Sequence, residues 1–326
     1  MTRDKALGRR TFLKGSGLAA LGAFGVLHAE DAGAQFAVPN SAGTDGPRLK
    51  APANSCDCHH HIYDTRFPFA QAGARMVPNS RVADYRLLQR RIGTTRSIVV
   101  TPAPYPASVT DNQVTIDALA QFGANARGVA IVSPAITDAE LKLLDEKGFR
   151  GIRFSLAALT SIPPTVMDSI APLSKRVTAL GWHVQINMTA DQIVGAGNLW
   201  DRMPSTIVFD HMGHMPQPMG AGHPAFTIIR RMVDKGKTWV KLSITYDSSK
   251  IGPPTYADVN KVGAAYVQAA PERMVWGSNW PHPNEPDKPN DALLLDQLAQ
   301  WAPSEATRRR ILVENPEALY GFTRSS

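Results

Sequence analysis

Cysteine is nearly absent. The 326 residues contain only Cys56 and Cys58, which excludes a disulfide framework and a four-cysteine zinc site. With one residue between them on a strand, the two thiols are expected to point to opposite faces and not to pair. No apolar run reaches the roughly 20 residues needed to cross a bilayer. Positive charge is modest and scattered, so a formal net charge of +7 leaves no nucleic-acid footprint. No glycine-rich phosphate turn follows the first strand candidate, which argues against a doubly wound dinucleotide fold. Internal repeats and low-complexity tracts are missing as well.

What is present begins with an address. Arg9-Arg10-Thr11-Phe12-Leu13-Lys14 reads as a twin-arginine export signal, followed by a short apolar stretch from Gly15 to Leu27. Ala32-Gly33-Ala34 offers a small-x-small cleavage site. Residues 1–34 are therefore expected to be removed, giving a periplasmic protein with no membrane segment. Their loss takes five basic residues (Arg3, Lys5, Arg9, Arg10, Lys14) and three acidic ones (Asp4, Glu30, Asp31), leaving a net charge of about +5. The twin-arginine route carries folded proteins, which suits one loaded with a cofactor before export. Residues 35–54 read as an extended lead-in.

From Ser55 the pattern alternates. Strand candidates are Ser55–Ile62, Ser97–Thr101, Gly128–Val132, Gly151–Phe154, His183–Asn187, Ile207–His211, Val240–Ser243 and Met274–Ser278. They read as buried on both faces, as parallel strands are. Helix candidates between them are Asn112–Phe122, Asp138–Glu146, Val166–Leu180, Ala190–Trp200, Ala225–Lys235 and Tyr256–Ala269. Thr137 with Glu140 forms a capping box, and Gly148 and Gly181 mark helix ends. Segments 63–95 and 280–290 read as long loops on the catalytic side. Eight such units over residues 55–326 have the dimensions of an α/β (β/α)8 TIM barrel.

Histidines gather at one rim of that barrel. His59 and His61 end strand 1, His211 ends strand 6, His214 follows it, and His282 lies just beyond strand 8. Residues two apart on a strand share a face, so His59 and His61 enter the barrel while His60 turns into the helix layer. Such imidazoles can bind a metal, polarise a carbonyl or fill a polar pocket. Asp57 is expected on the same face as the pair, but deeper, where it orients its neighbours. Asp210 alternates away from His211 and is expected only to pin a helix or loop. Arg153 is a candidate clamp for a substrate carboxylate, with a barrel-layer salt bridge as its alternative. Gln185, Ser243 and Tyr246 are polar contact candidates, while His183 and His223 read as structural.

Three motifs carry a resemblance. Asp57-Cys58-His59-His60-His61, Asp210-His211-Met212-Gly213 and Trp276-Gly277-Ser278-Asn279-Trp280-Pro281-His282-Pro283 resemble the amidohydrolase superfamily. Within it they resemble the group of 2-pyrone-4,6-dicarboxylate lactonase and D-galactarolactone isomerase. The runs Gly148 to Phe154 and Glu314-Asn315-Pro316 to Tyr320-Gly321-Phe322 are similar too. The resemblance implies a TIM barrel that opens or rearranges lactones without a divalent metal. It implies that His59, His61 and His211 polarise the carbonyl and that Arg153 binds a carboxylate. It also implies an aspartate general base ending strand 8, but position 279 is asparagine, which accepts no proton near neutral pH. His282 is a substitute if its loop folds inward, or Asn279 orients a water. His214 stands where an arginine is usual in the dicarboxylate lactonases, so a doubly charged substrate is not favoured.

The resulting expectation is an exported hydrolase or isomerase of a small lactone or related carboxylic ester. Its catalytic residues are His59, His61, His211, Asn279 and His282; its substrate-binding residues are Arg153, Gln185, His214 and Tyr246. No cofactor is expected. The alternative is a hydrolase or decarboxylase with one divalent metal such as zinc on His59, His61 and His211. A further alternative is a catalytically silent periplasmic barrel that binds a small acid. The partner in each case is a small molecule, a lactone or carboxylate, rather than nucleic acid or membrane.

Overall fold

The computed structural model describes residues 37–67, 79–102 and 112–324. The expected export signal and its cleavage site lie outside the described residues. Among those residues no helix is long and apolar enough to cross a membrane.

Eight parallel strands run in chain order around a (β/α)8 barrel. They are β1 (Cys56–His60), β2 (Arg96–Val100), β3 (Ala126–Ala130), β4 (Phe149–Ser155), β5 (His183–Asn187), β6 (Thr206–Phe209), β7 (Thr238–Leu242) and β8 (Met274–Trp276). Each pairs with its successor from β1 to β8. The seam between β8 and β1 is closed just past the strand ends. There the Asn279 N–H donates to the His59 carbonyl at 2.7 Å, and the His61 N–H donates to the Trp280 carbonyl at 2.8 Å. A Cβ on Gly277 would lie 2.7 Å from the His59 Cβ, so this close approach requires glycine.

The helices are α1 (Val82–Ile92), α2 (Gln113–Phe122), α3 (Asp138–Glu146), α4 (Pro164–Thr178), α5 (Ala190–Gly195), α6 (Pro224–Asp234), α7 (Thr245–Ser248), α8 (Ala257–Ala269), α9 (Asp291–Trp301), α10 (Glu305–Arg309) and α11 (Asn315–Tyr320). The Thr137–Glu140 capping box opens α3 as expected. Helix α1 corrects the reading of 63–95 as loop. Val82, Tyr85, Leu88 and Ile92 form a buried stripe at helical spacing, and Gly93 in the left-handed region ends it. Four arginines within and before the helix hide that stripe in the sequence. The lead-in is also more than a tether. Leu49 N–H donates to Asp296 of α9, and the Pro39 carbonyl accepts from the Trp280 indole, so residues 39–49 brace the loop after β8.

The cysteine expectation is overturned. Residues two apart share a strand face, and both thiols sit in one buried cluster with Ile98, Val100, Val129, Val208 and Val275. Both are free. A register shift in β1 between Asp57 and His60 then changes the alternation. It leaves Asp57 not below the histidine pair but against Tyr85 of α1, whose hydroxyl donates to it at 3.0 Å. His60 does turn outward, stacked on Tyr85 with centroids 3.6 Å apart.

Candidate active site

The barrel interior changes character along its axis. The apolar layer at its base gives way towards the mouth to Arg153 of β4, Gln185 of β5, Lys241 of β7 and the histidines. Asp210, just past β6, ties these together. Its Oδ2 accepts from Arg153 Nε at 2.9 Å and Gln185 Nε2 at 3.0 Å. Its Oδ1 lies 3.3 Å from His59 Nδ1 and 3.8 Å from Lys241 Nζ. Burial alone would raise this carboxyl, but the cations Arg153 and Lys241 beside it outweigh that and hold Asp210 well below the usual range. The expectation that Asp210 merely pins a loop is therefore corrected: it is the electrostatic centre of the mouth.

Lys241 was not singled out in the sequence. It is wholly buried, donates to Gln185 Oε1 at 2.7 Å, and lies 3.3 Å from His59 Nδ1. Burial lowers its pKa to about 8, with Asp210 opposing the shift. The available signal was a lone lysine inside the apolar strand Thr238-Trp239-Val240-Lys241-Leu242. Gln185, expected at the substrate, is fully buried with both amide ends occupied by Asp210 and Lys241. It is a positioning residue. Arg153 combines both of its readings. Its Nε is committed to Asp210, while its terminal N–H groups take no partner among the described residues.

His59, His61 and His211 do converge. His59 Nε2 lies 3.3 Å from His61 Nε2, and the His59 and His211 ring centroids are 4.7 Å apart. His61 Nδ1 is 2.8 Å from the Val100 carbonyl, which can only accept, so the proton sits on Nδ1 and Nε2 keeps its lone pair. Burial is the main cause that lowers all three, His61 to about 3, with Lys241 or Arg153 adding to it. All three rings are neutral at pH 7. His211 Nδ1 is 2.8 Å from Ser243 Oγ. His211 and Met212 both have positive φ, which turns the chain sharply so that the ring enters the mouth.

The other expected residues form a second group on the loops after β7 and β8. Asn279 Nδ2 donates to the Tyr246 hydroxyl at 2.9 Å. That hydroxyl is 2.9 Å from His282 Nδ1, and His282 Nε2 is 3.2 Å from Asp291 Oδ2 at the start of α9. His282 is fully buried, so its loop does fold inward, onto Tyr246. Asp291 carried no motif that sequence reasoning could use. His214 stands edge-on to His211, ring centroids 5.2 Å apart, and is held between Asp247 at 2.9 Å and Asn187 at 2.7 Å. It lines a cavity of about 310 Å³ with Thr189, Gln217, Asp247 and Lys250. His223 caps α6 and His183 packs against Tyr320 at the base, both structural as expected.

A single metal ion has a conceivable donor set, since His59, Asp210 and His211 bring ligand atoms within 4.8 Å of one another. The surroundings do not fit it. Arg153 and Lys241 already give the mouth more positive charge than Asp210 offsets, and three neutral imidazoles add none to compensate a dication.

Comparisons with known proteins agree with this architecture. The amidohydrolase family model matches residues 56–322. A 2-pyrone-4,6-dicarboxylate hydrolase of Comamonas testosteroni is 33% identical over 293 residues, covering 86% of this chain and 94% of that protein. A D-galactarolactone isomerase of Agrobacterium fabrum (strain C58 / ATCC 33970) is 29% identical, covering 84% and 93% respectively. An apo crystal structure from Agrobacterium tumefaciens superposes with a TM-score of 0.78 at 28% identity, over 86% of this chain and all of that one.

Proposed function

This chain belongs to the amidohydrolase family and is one of its hydrolases, and from that premise we propose that its substrate is a small lactone or related carboxylic ester, activated without a tightly bound metal. The observation that carries this reading is the charge of the mouth. Two buried cations, Arg153 and Lys241, face one carboxylate, Asp210, beside three neutral imidazoles. Such a mouth attracts the negative charge that builds on a carbonyl oxygen as a nucleophile adds.

The roles follow from the proton positions. If Ser243 donates to His211 Nδ1, the neutral ring carries its proton on Nε2 and presents it to the carbonyl oxygen. The terminal N–H groups of Arg153 bind that oxygen or a substrate carboxylate. His61 offers a lone pair rather than a proton. It accepts from His59 Nε2, while Lys241 donates to His59 Nδ1. His59 and His61 therefore spend their ring nitrogens on Lys241, each other and the Val100 carbonyl, and they hold the pocket's shape around His211 and Arg153. Lactone rearrangement is a second reading, favoured by Asn279. A substrate hydroxyl held against the carbonyl reaches effective concentrations of about 10⁵–10⁸ M and needs less help than water.

A mononuclear metal site on His59, His61 and His211 is favoured by one feature, the His61 Nδ1 bond to the Val100 carbonyl, which orients a ligand imidazole well. A pH-stat assay on sugar and pyrone lactones, with and without chelator and with metal analysis, tests these readings. Turnover that survives chelator supports histidine polarisation. Chelator-sensitive turnover with stoichiometric metal overturns the metal-free mechanism, and silence across the panel sinks the lactone reading. We also propose export to the periplasm by the twin-arginine route, on the strength of Arg9-Arg10. An R9K/R10K variant that still reached the periplasm would count against it.

A further inference from the structure

The proposed hydrolysis needs a proton acceptor, and Asn279 is not one. The loops after β7 and β8 supply a chain of four polar groups at this position: Asn279, Tyr246, His282 and Asp291. We propose that Tyr246 is the group that takes the proton from the attacking water, backed by His282 and Asp291 as a relay, in place of a strand 8 carboxylate. This inference rests on the lactone reading above.

The direction of the chain is set by chemistry. Asn279 Nδ2 can only donate, so the Tyr246 oxygen accepts from it at 2.9 Å. The Tyr246 proton is then available to His282 Nδ1, also 2.9 Å away. Asp291 Oδ2, 3.2 Å from His282 Nε2, accepts from that nitrogen, which fixes the tautomer with Nδ1 bare. His282 and Asp291 are fully buried, whereas Tyr246 is half-buried and Asn279 keeps 9% of its surface exposed. The polar chain thus runs from a closed interior to the barrel mouth. The Asn279 backbone N–H lies on the His59 carbonyl, and the loop carrying Tyr246 begins at Ser243, the partner of His211.

One lone pair of the Tyr246 oxygen faces no partner among the described residues, and the Asn279 amide oxygen takes none either. In the proposed step these two acceptors hold the attacking water. In the step itself a water O–H bond breaks and its proton passes to the Tyr246 oxygen. The Tyr246 proton passes to His282 Nδ1, and the water oxygen bonds to the lactone carbonyl carbon. When the ring C–O bond breaks, the proton returns by the same path to the leaving oxygen. Burial pushes the Tyr246 hydroxyl well above an ordinary phenol, so it releases its proton only as it takes another. Asp291 and His282 act through Tyr246 and are positioning residues. The competing possibility is that this chain only ties the two loops together.

Two measurements test the relay, and the second separates it from a structural tie. The first needs no substrate: the imidazole ¹⁵N spectrum of His282 in the wild type and in Tyr246→Phe. The relay requires Nε2 protonated and Nδ1 bare, with the Nδ1 signal moved by the loss of the hydroxyl. A protonated Nδ1 overturns it. The second is turnover of D-glucono-1,5-lactone and the rest of the lactone panel. Tyr246→Phe is expected to lower kcat by about 10²–10⁴-fold with KM nearly unchanged. Asp291→Asn is expected to lower kcat less, and Tyr246→Phe/Asp291→Asn no further than Tyr246→Phe alone. A Tyr246→Phe enzyme with wild-type kcat refutes the relay while leaving the lactone reading standing. Failure of the wild type on every lactone defeats that reading, and a protonated Nδ1 in the ¹⁵N spectrum overturns the relay independently of it.

Discussion

The two sides of the barrel mouth solve different problems. On the side of β4 to β7, Arg153, Gln185, Asp210 and Lys241 form a buried charged net around His59, where every ionisable partner is fixed. On the side of the β7 and β8 loops, Tyr246, Asn279, His282 and Asp291 form a line of hydrogen bonds whose protons can shift. The first side holds charge still, which suits stabilisation of an oxyanion. The second can move a proton. The difference teaches that one barrel mouth can carry a fixed charged net and a separate hydrogen-bonded line with an asparagine at position 279.

The largest expected effect breaks the charged side. Asp210→Ala leaves Arg153 and Lys241 buried without their shared counter-ion and is expected to cost about 3–5 kcal/mol. Guanidinium unfolding checks it, and a loss under 1 kcal/mol would mean that the net is not held by charge. His211→Ala should lower kcat by about 10²–10³-fold, the usual effect of removing one oxyanion donor, with little change in Tm. An unchanged kcat would remove His211 from the carbonyl site. Arg153→Met should raise KM by about 10-fold for lactones bearing a carboxylate and less for neutral ones, since a charged hydrogen bond contributes about 1.5–3 kcal/mol. Equal increases for both classes would show that Arg153 serves Asp210 alone.

A pH-dependent effect lies at the seam between the two sides. Asp57 is fully buried, and burial raises its pKa to about 6 against the pull of Ser278, His59 and Tyr85. The folded protein therefore holds this proton more tightly than the unfolded chain, whose value is 3.8. The stability that it contributes is complete below pH 3.8 and is lost as pH rises through 6, by at most about 1.4 kcal/mol per pH unit. Asp57→Asn should remove that slope from unfolding curves taken across the window. If the two proteins run parallel, the four donors around Asp57 keep it ionised and the burial argument fails.

Much of the fold was legible. Strand β5 and helix α3 have their expected bounds, because a run with Val184 and Ile186 after Gly181 and a Thr137–Glu140 box leave little choice. The α1 helix was not, since its buried stripe is narrow and interleaved with arginines, one of which, Arg91, is itself buried against Asp45, Ala42 and Asn290. The converging histidines were legible through the period of a strand, and His282 through its motif. The shift in β1 was not, because a single extra residue in a ladder leaves no mark on composition.

The sequence by itself determined the eight-unit barrel and which rim carries the histidines, since both depend on local periodicity. It also placed at position 279 an asparagine, which accepts no proton near neutral pH. Only the tertiary structure decided that Asp210 is the hub, that Lys241 stands behind His59, and that Asp291 supports His282. These contacts join residues between 9 and 182 positions apart, on different strands and loops. Their energy depends on burial and distance, and neither is encoded in any short stretch of the chain.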